Sequence, residues 1–131
     1  MSFWRKQVID FALDCETQAH ILEQRTWIAR EPSNPYPYYH LAQLYRVAFK
    51  PEEALGLLLE AVRLHPNFAA AHASLAEMYV LRDDYPAAWR HARLAEANGI
   101  PRVVEMLTRH GVKESLVRDS ALGSKLDGSS G

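Results

Sequence analysis

Apolar and polar residues recur along this chain with helical spacing almost throughout. Residues 2 to 31 contain neither Gly nor Pro, which favours helix over the whole span. Trp4, Val8, Phe11 and Cys15 follow a 4-3-4 spacing and form one apolar stripe. The stripe then slips, and Ile21, Leu22, Trp27 and Ile28 define another. The slip near Asp14–Thr17 predicts two helices packed as a hairpin, with Asp14 capping the second. One long helix is the alternative.

The connector from Glu31 to Pro37 breaks this pattern. Asn34 is the expected N-cap, and Pro35 suits the first helical position, where a missing N–H costs no intrahelical bond. Helices are predicted over about 36 to 48, from Pro51 to about Leu64, over about 69 to 82, and from about Tyr85 to Ala97. Phe49-Lys50 and Asp83-Asp84 make the turns, with Asp84 a good cap. Asn67 is the expected cap of the helix that follows it. Asn98-Gly99 reads as a C-cap, because both residues tolerate the left-handed conformation. A short apolar helix, Val103 to about Arg109, stops at Gly111, and a weaker one is expected over 113 to 121. The last residues, 123–131, read as a vector-derived linker and carry no fold.

Residues 35–68 are echoed 34 residues later, in 69–102. Leu41 aligns with Leu75, Ala42 with Ala76, Tyr45 with Tyr79, Ala54 with Ala88 and Ala61 with Ala95. Gln43 and Glu77, Leu44 and Met78, and Val47 and Leu81 keep their character. A self-match at this period signals stacked repeats. Small Ala stands where helices must approach closely, and Leu and Tyr stand where a neighbour must be gripped.

This pattern resembles the tetratricopeptide repeat. Tyr38, Leu41, Ala42 and Tyr45 carry the motif in the first helix, Ala54, Leu58 and Ala61 in the second, and Pro66 closes the unit. The second copy has His72, Leu75, Ala76 and Tyr79, then Ala88, Ala92 and Ala95, with its closing Pro displaced to Pro101. The resemblance implies an all-α fold, a right-handed superhelical stack of antiparallel helix pairs. Shifting the frame back one repeat puts Trp4 under Tyr38, Phe11 under Tyr45 and Pro32 under Pro66. Val8, His20 and Trp27 then fall where small residues belong, so 1–33 reads as a helical cap or degenerate repeat. After Pro101 the motif fails, and 103–122 reads as a capping helix and tail covering the terminal apolar face. The whole of 1–122 is read as one helical domain.

Composition changes this picture little. The formal net charge of −1 offers no long-range field for nucleic acid or an anionic membrane. One cysteine, Cys15, permits no internal disulfide. No run approaches a membrane span, and the N-terminus makes a poor signal peptide, so a cytoplasmic protein is expected.

Candidate chemistry is sparse. Phosphate-loop, nucleophile-elbow and zinc-protease motifs are missing from the sequence. His20, His40, His65, His72, His91 and His110 lack the close spacing of metal ligands. His72 and His91 alone could meet between paired helices. Glu52-Glu53 and Asp83-Asp84 sit at helix starts, where they complement the helix dipole. Arg90, Arg93, Arg102 and Arg109 read as a solvated face. No catalytic, cofactor or metal residues are expected.

The resemblance also implies a partner groove lined by the first helix of each unit. It places Tyr36, Tyr39, Gln43, Arg46 and Val47 on that groove from the first repeat, and Ala70, Ala73, Glu77, Val80 and Leu81 from the second. Tyr and Arg dominate interface energetics. Tyr36 and Tyr39 could equally pack on the N-terminal helices. Glu77 would repel a carboxylate, which argues against the repeats that clamp a peptide's terminal acid. The expected function is a non-catalytic scaffold for a partner peptide or helix, with neither nucleic acid nor membrane as partner. The alternative is a homodimer assembled through the aromatic N-terminal helices, because two full repeats are few for a stable stack.

Overall fold

A computed structural model of the protein describes residues 2–114, with side chains described from 14 onward. Among the described residues the chain is all-helical: α1 (Ser2–Arg30), α2 (Pro35–Val47), α3 (Pro51–Leu64), α4 (Ala69–Leu81), α5 (Tyr85–Ala97) and α6 (Arg102–Arg109). They fall into two compact units, Met1–His65 and Pro66–Gly131. The expected linker at 123–131 and most of the weak helix at 113–121 lie outside the described residues.

The expected N-terminal hairpin is not there. Residues 2–30 form one continuous helix, and Asp14 is an exposed interior position rather than a cap. Nothing between Asp14 and Thr17 breaks a helix, and a slipped apolar stripe is not itself a turn. In the first unit α1 packs on α2, and α2 packs on α3. Ile21 is buried on α1. Leu41, Ala42 and Tyr45 are buried on α2, and Ala54, Leu58 and Ala61 on α3. Arg25 reaches across from α1 to the Tyr45 hydroxyl.

Local sequence explains where these helices begin and end. Asn34 Oδ1 accepts the Tyr36 N–H at 3.0 Å, so the cap of α2 is where the sequence puts it. Pro51 opens α3 with Glu52 and Glu53 in its first turn. At the end of α2, Lys50 N–H donates to Tyr45 O at 2.8 Å and Phe49 N–H to Arg46 O at 3.2 Å. This pair of bonds is a Schellman motif, which needs a left-handed residue between them. Here that residue is Phe49, at φ 60°.

The second unit repeats the device three times. Asp84 N–H reaches Tyr79 O, Ile100 N–H reaches Ala95 O and Val112 N–H reaches Leu107 O, at 2.9, 2.8 and 3.0 Å. The left-handed residues are Asp83, Gly99 and Gly111. Asp84 Oδ1 caps α5 by accepting the Ala87 N–H at 3.3 Å. Asn67 does not cap α4. The cap position is Phe68, with no side-chain bond, because the helix starts one residue too late for Asn67.

Within this unit α4 packs on α5, and α6 packs on both. Ala73 and Ala76 of α4 join Trp89, Ala92 and Ala95 of α5 and Val103, Val104 and Leu107 of α6 in one apolar core. Small α4 residues let the larger side chains of α5 and α6 approach its backbone. No described helix is long and apolar enough to cross a membrane.

Candidate functional site

In the first unit, the open side of α2 forms a cleft of about 400 Å³ with α1. Gln43, Leu44, Val47 and His40 contribute from α2, and His20, Gln24 and Trp27 from α1. Of the residues placed on the partner groove, Gln43 and Val47 line this cleft. Val47 is 67% exposed. Arg46 Nη1 donates to Gln43 Oε1 at 3.3 Å, which steadies both side chains. Tyr39 is half-buried and meets the His40 ring edge-on, at 5.4 Å between centroids. Tyr36 is exposed at the N-terminal end of α2, and Phe49, 91% exposed, carries apolar surface past its C-terminal end. Gln24 Oε1 is shielded from solvent and has no hydrogen-bond partner.

The second unit treats its expected groove residues less evenly. Leu81 is 80% exposed. Val80 is half-buried against the core, and Ala70 is half-buried. Ala73 is fully buried within the core and presents no surface to a partner. The one-residue difference between a core-facing and an open-facing position on a helix is enough to turn it inward. Glu77 accepts from Arg102 Nη2 of α6 at 2.7 Å, so its charge is already matched within the unit. Arg93 is held likewise by Glu96 and Glu114.

His72 and His91 do meet. Their Nδ1 atoms are 3.0 Å apart, and His72 Nε2 donates to the Pro66 carbonyl at 2.6 Å. The ring planes differ by 24° with centroids 5.2 Å apart. That spacing exceeds the nitrogen separation by roughly two ring radii, so the rings face edge to edge along an N–H···N bond. The Tyr79 ring lies nearly parallel to His91, at 13° and 5.5 Å. Burial, then the neighbouring His72 and Arg90, lowers the His91 imidazole to about 4. A bound metal needs both lone pairs aimed at one point about 2.0–2.1 Å away. Here each nitrogen is aimed at the other, which suits a proton instead.

Sequence reasoning did not name His20, Gln24 and His40 as neighbours of Gln43 and Val47. Their spacing shows which of them share a face of one helix, but not that the two faces meet. His20, Gln24 and Trp27 share one face of α1, and His40, Gln43, Leu44 and Val47 share one face of α2. No protein-family model matches the chain, and no curated protein matches it.

Proposed function

We propose that this chain is a non-catalytic protein-interaction scaffold, built from two tetratricopeptide-like helix pairs and acting in the cytoplasm. Each unit offers a partner peptide or helix one open face, that of α2 in the first and that of α4 in the second. On α2 the contact is the cleft at Gln43 and Val47, flanked by Tyr36, Tyr39 and Arg46. On α4 it is Val80 and Leu81, beside Glu77.

The observation that carries this reading is the correspondence between the two helix pairs. Both α2 and α4 end at equivalent residues, Val47 and Leu81, with the same Schellman turn. Each leaves a large apolar residue at that end exposed to solvent. An exposed apolar residue at the same position of each helix pair offers a partner an apolar contact on every repeat.

A peptide library displayed on phage and selected on the full chain tests this. Selected peptides should bind at about micromolar Kd, around −8 kcal/mol. Val47→Asp and Leu81→Asp should each weaken them at least tenfold while circular dichroism stays unchanged. Enrichment of no peptide, or binding indifferent to both substitutions, rejects the reading.

A second reading, a homodimer through α1, is favoured by Leu22, which is 66% exposed on that helix. Light scattering across a concentration series separates the two. A concentration-dependent dimer that Leu22→Asp dissociates supports assembly, and a monomer throughout removes it.

A further inference from the structure

We infer that His72 and His91 form an acid-released latch: a one-proton bridge joining α4 to α5 that survives uptake of a first added proton and is broken by a second. The tautomers dictate this behaviour. A carbonyl oxygen only accepts, so His72 Nε2 carries its proton in every state that keeps the Pro66 bond. In neutral His72 the bare nitrogen is therefore Nδ1. His91 Nδ1–H supplies the bridging proton, and His91 Nε2 is left with its lone pair.

One added proton lands on His91 Nε2. The bridging proton can then move to His72 Nδ1, and the pair becomes a monocation with the bridge intact. A second added proton finds only Nδ1 to occupy. Two N–H groups then point at each other across 3.0 Å, both on cationic rings. The bridge is lost, and like charges face each other in a site where His72 is only 4% exposed.

The surroundings resist that second proton. Tyr79 on α4 lies against the His91 ring and adds no negative charge while its hydroxyl is protonated. Arg90 on α5 adds a positive charge. The one carboxylate on α4, Glu77, is turned to Arg102 of α6. On α6 the remaining charged residues, Glu105 and Arg109, are exposed, and neither is among the groups that act on His91. Burial and these charges hold His91 near 4, against about 6.5 when unfolded.

The sign follows. Between those two values the unfolded chain binds one proton more than the folded one, so stability is full above about pH 6.5 and falls as the pH drops toward 4. One proton corresponds to an unfolding constant that rises about tenfold per pH unit. The α4–α5 hairpin, and with it the exposed Leu81 end of α4, loosens in acid.

Long-range proton–nitrogen spectra of the full chain read the tautomers directly. At pH 7.5 the latch requires His72 protonated at Nε2 and a proton on the Nδ1–Nδ1 bridge. On acidification the bridge resonance should persist well below pH 6.5 and be lost as His91 titrates near 4. Urea unfolding followed by the amides of residues 72–97 should steepen by about tenfold per pH unit relative to His91→Gln, whose amide donates to His72 but does not titrate. A neutral His72 protonated at Nδ1, or a bridge resonance already lost near pH 6.5, overturns the latch. So does an unfolding slope that His91→Gln leaves unchanged. Should that variant not fold, the spectra of the unaltered chain decide alone.

Discussion

Phe49 and Asp83, 34 residues apart, occupy the same left-handed turn position, at φ 60° and 59°. Each sits between the two hydrogen bonds of a Schellman motif, and each starts the turn into the second helix of its pair. Asp tolerates this conformation, and its Oδ1 accepts from the Tyr85 hydroxyl at 3.3 Å. Phe has no such compensation. A left-handed residue with a Cβ costs about 1–2 kcal/mol, and a side chain 91% exposed recovers little of that by burial. Phe49→Gly is expected to stabilise the first unit by about 1 kcal/mol. The same change at Asp83 should do less. Urea midpoints at constant slope compare them, and equal gains would show that the Asp83–Tyr85 bond contributes nothing.

The two Asn caps expected from sequence separate in their effects. Asn34→Ala removes a side-chain bond to a free helix N–H and should cost about 1 kcal/mol. Asn67→Ala touches an exposed residue that caps nothing and should stay within about 0.5 kcal/mol. Thermal unfolding of both variants makes the comparison.

Adding carbon to a helix can help or harm according to where it goes. Ala76 is fully buried in the α4–α5–α6 core, so Ala76→Leu should overpack it at about 1–3 kcal/mol. Gly56 lies exposed within α3, and a Cβ there meets nothing within 4 Å. Gly56→Ala should stabilise by about 0.5–1 kcal/mol. Opposite signs in denaturant midpoints are the expected result.

Glu114 holds the segment after α6 to α5 through a bidentate pair with Arg93, at 2.5 and 3.2 Å. Its hydrogen bond first, and that of Glu96 second, raise the Arg93 guanidinium further above its already high range. Arg93 is exposed and Glu114 partly so, which leaves the pair screened by water, and Glu114→Gln should cost no more than about 1 kcal/mol. The loss should shrink as salt is raised. A larger, salt-independent loss in a salt-varied melting series would mean that Glu114 packs rather than pairs.

Sequence alone was enough to locate the helices from α2 onward, their turns and most of their caps. It also identified the Ala and Leu positions that are buried in them. These depend on residues a few places apart: Pro51 at a helix start, Gly99 in a left-handed turn, Ala54 and Ala61 on one face. Caps, turns and periodicity act over that range, so they are legible without knowing what packs on what.

The remainder depended on how the helices pack. The slip in the α1 stripe predicted a hairpin, yet α1 is one continuous helix, because a change of apolar face needs no break in the backbone. Ala73 and Val80 sit on the same helix, yet one is sealed in the core and the other half-open. Glu77 carries a charge whose meaning depends on Arg102, 25 residues away. The sequence allows His72 and His91 to meet between paired helices, but it is the edge-to-edge meeting of their rings that makes them a bridge. In each case the deciding contact joins two helices. Spacing along one helix shows which residues share a face, but only packing shows what that face meets.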